Sequence, residues 1–300
     1  MQYDPVKRQL GNVFNRSPFL RKVFYNLLDL LLLRSWHIHK ELRKWAHARA
    51  RSTQPNNQQP TPNNETPALR SAPAGDQQPT TDNHLHIYDA GAGYGQYSYW
   101  LSGFSSQWRI TAVDVKEEQV ADCNAFFQKI GRPQVVFSVD DVTTHTRPDT
   151  YDLVVCVDVM EHIQEDEQAM RCYSTSLKKG GMLIISTPSD QGGSDVHGEG
   201  EGSFIEEHVR DGYNITDIEQ KLLRNGFSKV EARYSYGTPG KISWRLSMKW
   251  PLLMLNASKL FFILLPFYYI ITYPFAFVLN WLDTNTKHAT GTGLIVKAWR

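Results

Sequence analysis

The stretch DAGAGYGQY, residues 89–97, follows the apolar run His86-Ile87-Tyr88 and sets three glycines at alternate positions, Gly91, Gly93 and Gly95. A glycine-rich turn directly after a strand leaves bare backbone for a ligand to lie against. Two phosphate-binding readings fail on spacing. A dinucleotide turn needs G-x-G-x-x-G, because its third glycine lets helix and strand pack closely, and counting from Gly91 that position is Gln96. A phosphate loop needs G-K-[ST] at the helix start, and no lysine occurs between Leu85 and Val115. What remains is D-x-G-x-G-x-G with an acid on the strand itself. A carboxylate there repels a pyrophosphate and favours an ammonium group. The pattern therefore points to a nucleoside that carries an amino acid and no phosphate.

Outward from this turn the chain alternates apolar runs with helical stretches. Buried strands are expected over 84–90, 108–115, 134–140, 151–157 and 182–187, with helices over 96–104, 117–130, 165–177 and 216–225, the last closed by Gly226. Five such βα units imply a doubly wound parallel sheet with its ligand at the carboxyl ends of the strands. Two further strand candidates, 228–236 and 293–298, lack a helical crossover of the usual kind between them.

The net charge of +1 conceals an asymmetry. Residues 1–51 carry eleven Lys/Arg against Asp4, Asp29 and Glu41, leaving 21 basic and 28 acidic residues for the rest of the chain. A basic arm on an acidic body suggests a negatively charged surface as partner. Within the arm, residues 17–50 repeat Phe19, Leu20, Val23, Phe24, Leu27, Leu28 and Leu31 at helical spacing, with Trp36 and Trp45 where an interfacial helix would use them. This helix either packs on its own domain or lies on anionic lipid. Residues 52–83 hold six of the fifteen prolines and no aromatic side chain, the composition of a disordered linker. The expected organisation is a basic amphipathic arm over 1–51, a linker over 52–83 and a domain over 84–300 with a hydrophobic insertion over 240–288. The three cysteines, Cys123, Cys156 and Cys172, are too few and too far apart for a disulfide framework or a zinc site, and read as buried thiols in a reducing compartment. The start MQYDPVKRQL has no apolar core behind its basic residues, so no signal peptide is expected.

On these motifs the sequence resembles the class I S-adenosylmethionine-dependent methyltransferases, and within them the quinone-biosynthesis-type (methyltransferase domain 11-like) branch. The resemblance covers about residues 84–238 and the last strand. It implies a Rossmann-like, seven-stranded α/β sheet whose last strand is antiparallel, and S-adenosyl-L-methionine as cofactor. In that family the turn Gly91-Ala92-Gly93-Tyr94-Gly95 wraps the methionine part and Asp89 supports its amino group. Asp114, at the end of the second strand in TAVDV, accepts the ribose hydroxyls, with Val115 beside it. One acid of SVDDV, Asp141 or with a one-residue shift Asp140, meets the adenine amino group, and Val142 lies against the ring. Val157 and Asp158 in YDLVVCVDVMEHI border the cofactor, while Glu161 and His162 stand beside the transferable methyl.

Methyl transfer to oxygen needs a base. The resemblance offers His162 and, in the H-x-R segment of EEHVRDGY, His208. The loop DVHGEGEGSFIEEHVRDGY has the glycine-studded composition of a mobile lid. His197, Glu199 and Glu201 within it read as a solvated acidic stretch and not a metal site, since no helix fixes them.

Between the last two strands lies KLFFILLPFYYIITYPFAFVLNWLD, uncharged over 260–282. Length alone would license a membrane span, but one crossing would separate the last strand from its partners. Pro266 and Pro274 are expected to divide the stretch into shorter helices. A re-entrant hairpin, helices half-sunk in one leaflet, and an apolar roof over a lipophilic substrate are the three readings; the same surface would alternatively serve a homodimer contact. Trp244, Arg245, Lys249, Trp250, Lys259 and Trp281 resemble interfacial anchors. The expected function is methyl transfer to a lipophilic acceptor, a quinone, phenol or lipid intermediate, by a peripheral enzyme on the cytoplasmic leaflet. A non-catalytic, membrane-associated scaffold that keeps the cofactor fold is the alternative. An acidic body without an Asn-Pro-Pro-Tyr-like motif after the fourth strand argues against nucleic acid as substrate.

Overall fold

A computed structural model describes residues 17–52, 84–192, 209–258 and 260–300. The chain opens with two helices, α1 (Pro18–Leu31) and α2 (Leu33–Ser52). The helical run expected over 17–50 breaks at Leu32, whose φ of −88° and ψ of 111° are extended. Leu32 and Leu33 are both buried at this elbow, so the break turns the uncharged leucines inward.

The strands are β1 (His86–Ala90), β2 (Arg109–Asp114), β3 (Val135–Val139), β4 (Tyr151–Val157), β5 (Leu177–Pro188), β6 (Lys229–Ser235) and β7 (Gly293–Trp299). They form one sheet in the order β3-β2-β1-β4-β5-β7-β6. β1 to β5 pair in parallel, and β7 runs antiparallel between β5 and β6. Three of the four parallel crossovers run through α3 (Gln96–Leu101), α4 (Glu117–Lys129) and α5 (Asp166–Ser176), the β3–β4 connection over 140–150 has no helix, and α6 (Ile215–Arg224) leads to β6. β4 is buried over its first six residues, which is why YDLVVCV reads as an almost unbroken apolar run. The strand order reverses between β1 and β4, so their carboxyl ends frame a crevice, the usual ligand position in such sheets.

Each face of the sheet has its own core. On one, Ile87, Ile110, Leu153 and Ile184 pack with Phe126 and Phe127 of α4 and with Ile38, Leu42 and Trp45 of α2. On the other, Tyr88, Val154 and Ile185 pack with Met170 and Tyr173 of α5 and Ile218 and Leu222 of α6. Trp45, expected at an interface, is instead buried edge-on against Trp108, with ring centroids 5.7 Å apart. The sheet face left open by the short α3 needs a cover, and α2 supplies it.

The insertion is a helical hairpin. Its first arm is α7 (Thr238–Trp244), a π-helical turn (Arg245–Lys249) and α8 (Trp250–Ala257); its second is α9 (Phe261–Asn285). Tyr268 and Tyr269 of α9 tie the arms together by donating to the carbonyls of Leu246 (2.7 Å) and Ser247 (2.8 Å) in the π turn. The prolines do not divide α9 as expected: Pro266 and Pro274 lie inside one continuous helix. Each leaves a carbonyl four residues earlier without its N–H, at Phe262 and Ile270, and both of these residues are exposed, so no packed contact is opened.

Polar contacts seat the end of α9. Asp283 is fully buried and accepts from the backbone N–H of Tyr236 (3.1 Å) and Gly240 (2.9 Å). It also pairs with His37 Nε2 of α2 (2.9 Å) and His288 Nε2 (3.2 Å). Removing one member of such a buried cluster leaves its partners uncompensated. Asp283→Ala is therefore expected to cost about 3 kcal/mol or more in urea unfolding; a loss within about 0.5 kcal/mol, the scale of a neutral surface change, would contradict this role.

Candidate active site

The turn after β1 is built for close backbone approach. Gly91, Gly93 and Gly95 all have positive φ (70°, 52° and 78°). A Cβ on Gly91 would come within 2.4 Å of Val159, so that side of the turn is pressed onto the exit of β4. A Cβ on Gly93 would meet nothing within 4 Å, so the opposite side faces the crevice.

Two carboxylates frame the turn. Asp114, at the end of β2, accepts from Gly93 N with one oxygen (2.8 Å) and from Lys116 N with the other (3.0 Å). Asp89 is buried under the turn and accepts from Ser98 Oγ at 2.6 Å. Burial, more than the nearby Asp114, pushes its carboxyl up to about 6. Ala92 N donates to Val113 O (2.8 Å), joining turn and β2 directly. This arrangement fits a cofactor with an ammonium and a ribose: a buried acid that regains its charge beside a cation, and a second acid with unused acceptor positions.

Four of the remaining expected positions follow the carboxyl ends of β2, β3 and β4: Val115, Asp141, Val142 and Asp158. Val157 is half-buried at the end of β4, and Asp158 beyond it has a φ of 52°. Past β3, Asp141 is exposed, accepting from Thr143 N (2.8 Å) and Oγ1 (2.7 Å), while Val142 is buried. Its neighbour Asp140 instead pairs with His145 Nδ1 at 2.7 Å. Val115 is exposed. His162 is half-buried at the end of a 3-10 turn (Met160–His162). His208, like His197, Glu199 and Glu201, lies outside the described residues. Arg210 does not project toward a substrate: it pairs with Asp166 and donates to Ile163 O, and Tyr213 is buried with its hydroxyl on Asp166 (2.9 Å).

Arg34 and Tyr236, together with the surroundings of Gln96 and Glu161, lay beyond the reach of the sequence. Arg34, from the elbow of the N-terminal helices, pairs with Asp158, and its backbone N–H donates to the Tyr236 hydroxyl (3.1 Å). Tyr236 itself has a φ of 55° just after β6. Gln96 joins the turn to α1 and α2 by donating to Asp29 (2.6 Å) and Ser35 (2.9 Å). Glu161 is buried, accepts from Thr187 Oγ1 (3.1 Å), and is pushed up to about 8, first by burial and then by Asp158. No local pattern marks Arg34 or Tyr236, because they lie 124 and 78 residues from Asp158 in the chain (158 − 34 and 236 − 158).

An acid-flanked glycine turn thus sits at the switch point of the parallel strands, in a sheet where β7 runs antiparallel. Residues 88–185 match the family model described as a methyltransferase domain. (S)-coclaurine N-methyltransferase from Thalictrum flavum subsp. glaucum is 29% identical over 104 residues, 35% of this chain and 28% of its own length. Ubiquinone biosynthesis O-methyltransferase from Xanthomonas campestris pv. campestris (strain B100) is 29% identical over 103 residues, 34% of this chain and 42% of its own. The chain thus spans less than half the length of these curated relatives. Among solved structures, the Haemonchus contortus phosphoethanolamine N-methyltransferase 2, in complex with phosphomonomethylethanolamine and S-adenosylhomocysteine, has the same fold with a TM-score of 0.53 at 17% identity. It covers 74% of this chain and 50% of its own. The fold expected from the glycine turn is therefore the one found, and the methyltransferase domain match over residues 88–185 agrees with the resemblance.

The Asp89 carboxyl gives a test by titration. Below about pH 6 it is protonated and offers no charge to an ammonium; above, it is ionised. Affinity for S-adenosylhomocysteine, read by calorimetry, is expected to fall up to about tenfold per unit as pH drops below 6 and to level off above. Asp89→Asn should bind weakly with this dependence flattened; a flat wild-type profile would contradict the assignment.

Proposed function

We propose that the chain transfers a methyl group from S-adenosyl-L-methionine to a lipophilic small-molecule acceptor, a quinone, phenol or lipid intermediate, at the cytoplasmic surface of a membrane. The observation that carries the lipophilic part is α9: its mean hydropathy reaches 1.9 over an 18-residue window of which only 6% is buried. A soluble core helix would be covered, and contiguous exposed apolar surface of this extent marks an interaction site. The Xanthomonas relative, named for ubiquinone biosynthesis, lends support to an acceptor of this kind.

The cofactor, when bound, supplies a reactive sulfonium methyl for in-line displacement, so the protein's part is alignment and proton removal. In this reading Asp89, Gly91, Ala92, Gly93 and Gly95 hold the methionine moiety, with Arg34 as the cation for its carboxylate. Asp114 and Val115 hold the ribose, Asp141 and Val142 the adenine, and Val157 and Asp158 the rim. His162 and His208 serve as base or acceptor contact. Glu161 joins them, because burial, with Asp158 beside it, raises its carboxyl from the usual carboxylate range toward neutrality, where a group exchanges a proton with least cost.

Incubation with methyl-labelled cofactor and a membrane lipid extract is expected to move label into the organic phase. Asp114→Ala should reduce cofactor affinity and turnover together by at least about tenfold, the scale of one lost charge-assisted pair. Cofactor binding without transfer to any lipid fraction would leave the scaffold reading instead.

A further inference from the structure

Helix α1 has two different faces. Its inner face grips the glycine turn: Arg21, only 3% exposed, donates from Nη2 to the Tyr94 carbonyl (3.0 Å) and from Nη1 to Asp122 O (3.1 Å). The buried Tyr25 donates its hydroxyl to the same Tyr94 carbonyl, and Asp29 accepts from Gln96 (2.6 Å). Its outer face is apolar and open to solvent, with Phe19 at 72% exposure and Leu27 and Leu30 at 40% each. That face continues into the hairpin. The Leu30 carbonyl accepts from Tyr273 of α9 (3.2 Å) and from Trp36 (3.1 Å), whose ring stands edge-on to Phe277 at 4.9 Å.

Along α9 the exposed apolar side chains run from Leu260 to Leu282, about 33 Å at the helical rise. The exposed Phe267, Ile271, Phe275, Val278 and Trp281 recur three or four residues apart along one side of α9, the row that a hairpin lying flat would cover. The first arm adds a charge pattern. Lys241, Arg245 and Lys249 follow one another at four-residue spacing, each half-exposed, just ahead of the exposed Trp250. Cations on long stems beside an apolar face, with a tryptophan at the boundary, match the phosphate level of a bilayer.

We propose that the outer face of α1, the cationic first arm and α9 form one docking surface that lies flat on an anionic leaflet, and that docking there tightens the cofactor site through α1. The linkage follows from geometry. Only when α1 is seated on the Tyr94 carbonyl do Phe19, Leu27 and Leu30 fall in line with α9, so lipid contact favours the seated state. A ligand favouring the same state gains affinity, and the coupling is reciprocal. The inference rests on the turn between Asp89 and Asp114 being the cofactor site.

The test uses the full chain, S-adenosylhomocysteine, and vesicles of phosphatidylcholine alone or mixed equally with phosphatidylglycerol. The wild type is expected to float with the mixed vesicles, and its S-adenosylhomocysteine dissociation constant to fall at least about fivefold in their presence. The triple variant K241E/R245E/K249E, folded by circular dichroism, should lose at least about tenfold in vesicle binding with lipid-free cofactor affinity unchanged. The Phe19→Ser/Leu27→Ser variant should keep its lipid-free affinity and lose the gain. Absence of vesicle binding, vesicle binding without a change in affinity, or a lipid-free dimer cross-linked through Phe275→Cys would each overturn the proposal. Failure of the wild type to bind S-adenosylhomocysteine under any condition would instead remove the cofactor reading beneath it.

Discussion

The hydrogen bond from Gly93 N to the Asp114 carboxylate is the contact on which the site depends. It fixes a turn whose glycines sit in a backbone region that other residues occupy only under strain, and it ties that turn to the end of the neighbouring strand. A carboxylate has about four acceptor positions, and the backbone uses one on each oxygen of Asp114. The group that shapes the turn thus keeps capacity for two ribose hydroxyls. Structure and recognition share one side chain here, with no competition between them.

A second polar centre ties the insertion to this site. Asp283 joins α9 to α2 through His37, to the first arm through Gly240 N and to the end of β6 through Tyr236 N. Tyr236 in turn accepts from Arg34 N, and Arg34 pairs with Asp158 at the exit of β4. A buried carboxylate with several donors is costly to leave half-satisfied, so these elements stay in one arrangement. The hairpin is consequently held to the sheet domain by buried polar contacts at the end of α9.

Much of the fold was legible in the sequence because local pattern and tertiary role agree. The strands lie within two residues of expectation wherever an apolar run is bounded by turn residues; β5 alone starts earlier, at Leu177, because LKKGG continues the ladder before the buried MLIIS. The cofactor turn was legible because its spacing excludes phosphate ligands. Trp45 was misjudged: a tryptophan on a basic helix looks the same whether its partner is lipid or Trp108, and only the open sheet face decides. The prolines of α9 were misjudged because their missing hydrogen bonds fall on an exposed face. Arg34, Tyr236 and the raised carboxyl of Glu161 depend on packing between distant segments, which no window of sequence contains.

The most direct measurement of the central claim is a crystal structure of the chain soaked with S-adenosylhomocysteine. The amino group is expected over Asp89, the ribose hydroxyls on Asp114 and the adenine between Asp141 and Val142. An adenosine moiety seated elsewhere, or a nucleotide phosphate displacing it from the turn, would contradict the account.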